Sequence, residues 1–361
     1  MKRIDMHIHS IMHYDEYEKE SDILRPYPNT GTFATPEELK PVYARLGIEK
    51  GVLLPIVTME GQHRIMSNEE IYRIVCAYPD MFYWYCNVDP RCHTNSNDTD
   101  LGYFIEHYKK LGAKGIGEVT SKLAFDDPKM RNLFYHAQKL DMPLLFHIGA
   151  DKEPYGIFDE LGLPLLEKTL NDYPDLKFIG HSASFWSHIS KDVKEETRSS
   201  YNKGPVVEGG RIPELMKKYP NLYADISANS GYYAITRDPD FGYAFLEEFQ
   251  DRLFYGTDIC APREYVFFNM VNFLDDGYRE NRLSKVAYEK INRFNAENIL
   301  KWQYFVSKFE NLLLILIILS IGIAKIEIMC IILLRLDIGN YDYYKKYCAK
   351  GNYFTNCFEY G

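Results

Sequence analysis

The stretch RIDMHIHS, residues 3–10, is a short apolar run that ends with two histidines, His7 and His9, one residue apart. Side chains two residues apart on a β-strand emerge on the same face, so both imidazoles are within reach of one ion if the run is a strand. The polar residues that follow predict that the strand ends at Ile8 or His9. Both rings then lie at the carboxyl edge of a strand, where α/β proteins carry their chemistry. An isolated His-X-His pair is a weak signal, and the rest of the chain decides its meaning.

Seven further apolar runs have the length and composition of strands, and helical patterns separate them. The runs cover residues 51–57, 82–88, 113–119, 143–148, 176–181, 222–227 and 253–259. The helical patterns cover residues 36–47, 68–79, 100–112, 127–141, 163–174, 211–220, 241–250 and 284–302. Eight strands that alternate with helices predict an α/β fold with parallel pairing, and closure into a (β/α)8 TIM barrel is the economical arrangement. An open doubly wound sheet is the alternative, but no Gly-X-Gly-X-X-Gly follows the first strand.

The character of the chain changes after Trp302. A TIM barrel needs about 250 residues, and we predict that the barrel occupies residues 1–302 of the 361-residue chain. The predicted C-terminal extension, residues 303–361, contains an apolar segment at 312–336 and then a polar tail. Two charges, Lys325 and Glu327, interrupt the apolar segment, and a spanning helix needs about 20 predominantly apolar residues. Weak membrane association through 312–336 is one expectation, and a shifted or read-through reading frame is another origin for this ending.

The composition limits which binding partners and which cellular location are expected. The formal net charge is −9 and no basic stripe is present, so nucleic acid is not an expected partner. Seven cysteines without a CxxC motif give neither a zinc-finger pattern nor a disulfide framework, which favours reduced thiols and a cytoplasmic location. No apolar stretch follows a basic start at the N-terminus, so no signal peptide is expected. A homodimer is the base-rate expectation for assembly.

Further ligand-type side chains end the later strands. They are Glu118 in GIGEV, His147 in LLFHIG, His181 in FIGHSA and Asp258 in YGTDI. Each alone is explained by a helix cap, a core histidine or an ion pair, but a barrel brings the carboxyl ends of all five strands to one mouth. Imidazole and carboxylate suit Zn²⁺, Mn²⁺ or Fe²⁺ and leave a position open for water. The set therefore predicts a divalent-metal site, with zinc as the first choice.

Over residues 1–302 the sequence resembles the amidohydrolase superfamily, and more closely its amidohydrolase-related branch of hydrolases, lactonases and decarboxylases. The resemblance rests on DMHIHS, GIGEV, LLFHIG, FIGHSA and FYGTDI in that order. It implies that His7, His9, His147 and Asp258 surround a catalytic metal, and that His181 ligates a second metal or contacts substrate. Glu118 departs from the pattern of many members of the branch and looks like the bridging glutamate of TatD-type nucleases. The resemblance therefore leaves open whether the site holds one metal ion or two.

These groups suit hydrolysis. A bound divalent ion lowers the pKa of its water to about 7 and polarises a substrate carbonyl. Asp258 is the candidate to accept and return a proton, and His181 the candidate to orient substrate or hold an oxyanion. We predict a metal-dependent hydrolase that cleaves a C–O or C–N bond of a small, carboxylated substrate. A decarboxylase with the same metal is the alternative, and a non-catalytic, membrane-associated binding module is a third hypothesis.

The candidate substrate contacts lie in loops that follow the strands. Arginine binds carboxylates in a bidentate manner, and tryptophan offers an aromatic wall. The candidates are Arg25, Tyr27, His63, Arg64, Arg91 and Trp186.

Overall fold

We describe the protein from a computed structural model, which covers residues 1–13, 33–60, 65–150, 152–260 and 266–300. These ranges contain nine strands. They are β1 (Arg3–Ile8), β2 (Ile48–Leu53), β3 (Phe82–Trp84), β4 (Ile116–Val119), β5 (Leu144–Gly149), β6 (Ile157–Phe158), β7 (Phe178–His181), β8 (Leu222–Asp225) and β9 (Leu253–Phe254). Every predicted strand has a counterpart, and the short β6 is an addition that the sequence did not signal.

The strands form a closed ring. One sheet has the order β1-β2-β3 and the other the order β4-β5-β7-β8-β9, with β6 paired to β5 outside this path. All the pairings are parallel. Parallel bridges from Cys86 to Ile116 and from Ile8 to Ile259 join the two sheets on both sides. The predicted (β/α)8 barrel is therefore confirmed, and the carboxyl ends of its strands share one mouth.

Helices connect the strands. They are α1 (Pro36–Leu46), α2 (Asn68–Ala77), α3 (Leu101–Lys110), α4 (Pro128–Lys139), α5 (Pro164–Asp172), α6 (Ala183–Trp186), α7 (Arg211–Lys218), α8 (Ala228–Thr236), α9 (Pro239–Glu248), α10 (Val266–Arg279) and α11 (Lys285–Glu289). Helical structure continues from α11 to Leu300, with a π-helical turn at Lys290–Phe294. The sequence patterns did not predict α6, α8 and α10. The strand predicted at 51–57 ends at Leu53, because Pro55 has no N–H to donate to a ladder.

Local sequence signals fix the first helix after the long first loop. Thr35 and Glu38 form a capping box, in which the Thr35 N–H donates to Glu38 Oε2 over 2.8 Å. Pro36 occupies the first turn, where a missing N–H costs nothing. Gly47 ends the helix with a φ of 66°, a left-handed conformation that glycine adopts without strain. The chain is thereby turned directly into β2.

A layer of apolar side chains fills the barrel below the mouth. The largest apolar cluster packs helices against strands, and a second cluster gathers side chains from the strands around Ile4, Leu145 and Ile179. Ile299 and Leu300 of the C-terminal helical segment complete this second cluster. The same segment is tied to the start of β1, since Arg293 donates to the Lys2 carbonyl oxygen over 3.1 Å. The end at which the strands begin is therefore covered.

The barrel unit extends from Met1 to Leu300. The predicted extension, residues 303–361 with the apolar segment 312–336, lies outside the described residues. In the ranges that the structure covers, no helix combines the length and hydrophobicity needed to cross a membrane.

Candidate metal centre

The structure brings the six predicted ligands together at the mouth of the barrel. Their ligand-type atoms form three overlapping groups, within each of which all the atoms lie less than 4.8 Å apart. The groups are His7 with His181 and Asp258, His7 with His9 and Glu118, and Glu118 with His147 and His181. The parallel register explains part of this convergence, because His147 of β5 stands directly beside His181 of β7.

His7 and His9 point their Nε2 atoms at each other. His9 Nδ1 donates to the Leu54 carbonyl oxygen over 2.9 Å, and His7 Nδ1 lies 3.0 Å from Asp225 Oδ2. Both partners are acceptors, so each Nδ1 carries the proton of the neutral ring and each Nε2 presents a lone pair. The two Nε2 atoms lie 3.2 Å apart. Two lone pairs held this close favour a cation between them.

The two carboxylate oxygens of Glu118 face different imidazoles. Oε1 lies 2.7 Å from His147 Nδ1, whereas Oε2 lies 3.3 Å from His9 Nε2 and 3.6 Å from His7 Nε2. Oε2 is buried and accepts no hydrogen bond from any described residue. Burial alone raises the pKa of Glu118, but contacts with the three histidines outweigh it and hold the pKa well below its usual range. An ionised, buried and unpaired oxygen is a donor that suits a metal ion.

Asp258 is the carboxylate of the cluster that solvent reaches, with 21% of its side chain exposed. Oδ1 lies 3.5 Å from Nε2 of both His7 and His9, and Oδ2 lies 3.7 Å from His181 Nε2. Its backbone has a φ of 53°, which is uncommon for a residue other than glycine. The Asp258 N–H donates to the His7 carbonyl oxygen over 2.7 Å, and this bond fixes the unusual conformation beside β1.

Asp225, at the end of β8, holds two of the histidines in place, and the sequence analysis missed it. Oδ2 lies 3.0 Å from His7 Nδ1 and Oδ1 lies 3.0 Å from His181 Nδ1. Burial tends to raise the pKa of Asp225, but the charges of His181 and His7 outweigh it and hold the pKa well below its usual range. A carboxylate on the distal nitrogen fixes the tautomer and direction of a metal-binding imidazole. The signal was an aspartate at a strand end in LYADIS, the same placement as Asp258.

The cluster attracts positive charge. Burial lowers the pKa of His7, but the carboxylates of Asp258 and Asp225 outweigh it, so the pKa lies well above the ordinary histidine value. Burial also lowers the pKa of His181, but the charge of Asp225 outweighs it and the pKa is raised. Nitrogen and oxygen donors with an unpaired carboxylate oxygen between them fit a divalent metal ion.

Two aromatic rings border the ligands. The Tyr155 ring centroid lies 4.9 Å from that of His147, and the Phe33 ring centroid lies 5.6 Å from that of His9. Tyr155 is partly exposed, so its side chain is reachable from the mouth. Nothing in the sequence distinguishes it from the other tyrosines among the 30 of the chain.

The structure places the two described substrate-contact candidates away from that role. Arg91 donates to Glu60 Oε2 over 2.6 Å and to Asp89 Oδ2 over 2.7 Å, so protein carboxylates already pair its charge. Trp186 was predicted as an aromatic wall, but it is 1% exposed and packs in the core. Its indole N–H donates to the Asp225 carbonyl oxygen over 3.0 Å. The remaining candidates lie outside the described residues. They are Arg25, Tyr27, His63 and Arg64.

The fold and the site define a (β/α)8 barrel protein whose mouth carries a candidate divalent-metal site. The family model described as amidohydrolase matches residues 4–302, and the chain belongs to the amidohydrolase family, an enzyme family. The resemblance read from the sequence motifs is thereby confirmed.

Solved structures share the barrel at low sequence identity. An uncharacterised TIM-barrel protein from Bordetella bronchiseptica is 18% identical with a TM-score of 0.54, over 84% of this chain and 99% of that one. A dihydroxybenzoic acid decarboxylase from Polaromonas sp., with bound manganese and 2-nitroresorcinol, is 17% identical with a TM-score of 0.51, over 83% and 97%. A probable 2-pyrone-4,6-dicarboxylic acid hydrolase from Acinetobacter baumannii, with citric acid bound, is 14% identical with a TM-score of 0.51, over 83% and 99%. No curated protein matches the chain by sequence. Identities at this level establish the fold, and the reaction has to be argued from the site.

Proposed function

We propose that the protein is a metal-dependent hydrolase that directs water onto a C–O or C–N bond of a small, carboxylated substrate. The observation that carries the proposal is the position of Glu118, whose Oε1 faces His147 and whose Oε2 faces His7 and His9. A carboxylate in that position suits the space between two ions. A pair of ions held there would supply the Lewis-acid chemistry that suits hydrolysis.

The donors divide into two adjoining sets. His7 Nε2, His9 Nε2 and Glu118 Oε2 form one, and Asp258 Oδ1 lies beside it. His147, His181 and Glu118 Oε1 form the other. We propose two divalent ions, with zinc first and manganese or iron as alternatives that accept the same donors. When bound, such ions lower the pKa of water and polarise the substrate carbonyl.

The side chains of the mouth supply the proton transfers. Asp258 is exposed to the mouth, so it is placed to accept a proton from the attacking water and return it to the leaving group. Asp225 holds His181 through Nδ1, so the His181 ring keeps one orientation while Nε2 faces Asp258. From there His181 serves as a ligand or holds the developing oxyanion. Arg25 and Arg64 are the arginines that we propose for the substrate carboxylate, since Arg91 is already paired.

Decarboxylation is the second candidate, and the likeness to the Polaromonas decarboxylase favours it. In this reaction the same centre would bind the carboxylate of the substrate and a neighbouring hydroxyl. It needs one metal and no bridging carboxylate. Glu118 is therefore the residue that separates the two candidates.

Metal content tests the proposal directly. Elemental analysis of the full chain should give two equivalents, and Glu118→Gln should lower the content to one. Glu60→Gln is the matched control, because Glu60 is a carboxylate that pairs with Arg91 rather than with the ligand histidines. A wild-type metal content of one equivalent that Glu118→Gln does not change would rule out Glu118 as a ligand shared by two ions. Decarboxylation would then become the leading candidate. No metal, even after reconstitution, would refute the metal centre itself.

Product analysis then separates the reactions. The metal-loaded protein should release acid from a lactone or amide panel that includes 2-pyrone-4,6-dicarboxylate. Release of CO₂ from 2,6-dihydroxybenzoate without acid release from the panel would assign the lyase reaction instead.

We also propose a cytoplasmic location and a homodimer. No disulfide joins the described cysteines, which supports a reducing compartment. Cell fractionation tests the location and the expected weak membrane association through 312–336, and sedimentation tests the dimer.

A further inference from the structure

A short segment before β6 crosses the mouth of the barrel beside His147. The pairing of β6 with β5 sets Phe158 against Gly149. The backbone of Tyr155 therefore passes directly over Gly149, where a Cβ atom would lie 2.1 Å from the Tyr155 carbonyl oxygen. Only glycine allows so close an approach of two backbones. The crossing places Tyr155 next to the residues at the end of β5.

Hydrogen bonds fix this segment on two sides. The Gly156 N–H donates to the Thr120 carbonyl oxygen over 2.7 Å, which ties the segment to the chain just after β4. Glu153 Oε2 accepts from Ser184 Oγ over 2.9 Å, which ties the segment to α6. The position of Tyr155 is thus set by its neighbours in the chain, and its own hydroxyl takes no part.

The hydroxyl of Tyr155 is available to a ligand. It makes no hydrogen bond to any described residue, although a buried tyrosine hydroxyl usually has a partner. The ring centroid lies 4.9 Å from that of His147, and the two ring planes meet at 60°. Burial raises the pKa of the Tyr155 phenol, and the charges of Glu118 and Asp258 raise it further. The hydroxyl therefore lies within electrostatic reach of the metal-ligand cluster.

The opposite border of the cluster is apolar in the described part of the chain. His9 follows β1, which stands across the ring of strands from β5. Phe33 lies beside His9 and packs with Ile11, Ile56 and Met66, none of which offers a hydrogen-bond donor from its side chain. A ligand at the centre therefore meets a hydroxyl donor on the side of β5 and an apolar surface on the side of β1.

We propose that Tyr155 is a substrate-binding residue, whose hydroxyl donates a hydrogen bond to an anionic oxygen of the molecule bound at the metal centre. Hydrogen bonds to charged acceptors are the stronger kind, so this donor orients the ligand with its anionic group toward β5. The apolar remainder of the ligand then faces Phe33. The proposal rests on the metal centre of the proposed function. It applies to hydrolysis and to decarboxylation alike, since both reactions bind an anionic oxygen there.

Cobalt and acetohydroxamate test this contact without a known substrate. Cobalt(II) accepts the same nitrogen and oxygen donors as zinc and absorbs visible light, and acetohydroxamate brings an anionic oxygen to the metal. Titration of the cobalt-loaded full chain with acetohydroxamate should change its visible absorption. Tyr155→Phe should weaken this binding about tenfold or more, the loss expected for a hydrogen bond to a charged group. Imidazole binds metal without an anionic oxygen, so it should bind the wild type and the variant equally.

Tyr223→Phe is the matched control. Tyr223 also makes no hydrogen bond to a described residue, and it stacks on Phe254 with ring centroids 5.8 Å apart, in the apolar cluster below the mouth. Tyr155→Phe should hold as much cobalt as the wild type, because the phenol is not a metal ligand.

Four results would overturn the proposal while leaving the metal centre in place. They are acetohydroxamate affinity in Tyr155→Phe within about twofold of the wild type, an equal loss in Tyr223→Phe, an equal loss of imidazole affinity, and a cobalt-loaded wild type that does not respond to acetohydroxamate. A wild type that takes up no cobalt would instead refute the metal centre of the proposed function, and this proposal with it.

Discussion

Asp225→Asn is the substitution that tests most sharply how this centre holds its metal. The Ser227 N–H donates to Asp225 Oδ1 over 3.0 Å and Ser227 Oγ donates to the same atom, so an asparagine keeps its carbonyl oxygen there. Its amide NH₂ then takes the place of Oδ2, opposite the Nδ1–H of His7. Two donors cannot bond, so the His7 proton moves to Nε2. The lone pair that faced the metal site is thereby lost.

The size of the effect follows from the number of donors disturbed. Loss of an outer carboxylate partner weakens metal binding about 10–100-fold. His7 belongs to two of the three donor groups, so we expect the upper end of that range. A 100-fold loss corresponds to about 3 kcal/mol of metal-binding free energy.

Competition with a chromophoric zinc chelator measures this affinity. Asp159→Asn is the control, because Asp159 is also a buried carboxylate but accepts from the backbone N–H groups of Leu165 and Leu166. We expect the control to bind zinc as the wild type does. A correctly folded Asp225→Asn protein, judged by near-UV circular dichroism, with zinc affinity within about twofold of the wild type would refute the orienting role.

Three further predictions concern stability. Burial lowers the pKa of His188 from the ordinary 6.5 to about 4, and its Nε2 accepts from the Gly162 N–H, so the unfolded chain binds this proton at a higher pH than the folded chain. The free energy of unfolding should therefore fall by up to about 3 kcal/mol as the pH drops from 6.5 to 4. Urea titrations over this pH range should show that His188→Gln removes this part of the pH dependence. Thr35→Ala removes the cap shared with Glu38 and should cost about 1 kcal/mol in the same assay, whereas no change would contradict the capping box. Ile299→Ala should cost about 3 kcal/mol, because it empties the apolar cluster that covers the start of the strands, and a loss below about 1 kcal/mol would argue against that packing.

The strand and helix periodicities were sufficient for the architecture. A parallel barrel places every strand's carboxyl end at one mouth, so a residue's position at the end of its own strand already determines where it lies. For this reason His7, Glu118 and His181 could be grouped from local sequence. The boundaries were less accurate, as the start of β2 shows: the strand begins at Ile48 rather than at residue 51, because it pairs there with Arg3, which is distant in sequence.

The sequence by itself therefore determined the fold class and the six candidate ligands that meet at the mouth, since both follow from short-range patterns. Only the tertiary structure decided how each side chain is used. Asp225 acts on His7 and His181, which are 218 and 44 residues away, and Trp186 turns into the core to bond the Asp225 backbone. Hydrogen bonding and burial are set by contacts between remote segments, and no local pattern encodes the direction in which a side chain finds its partner.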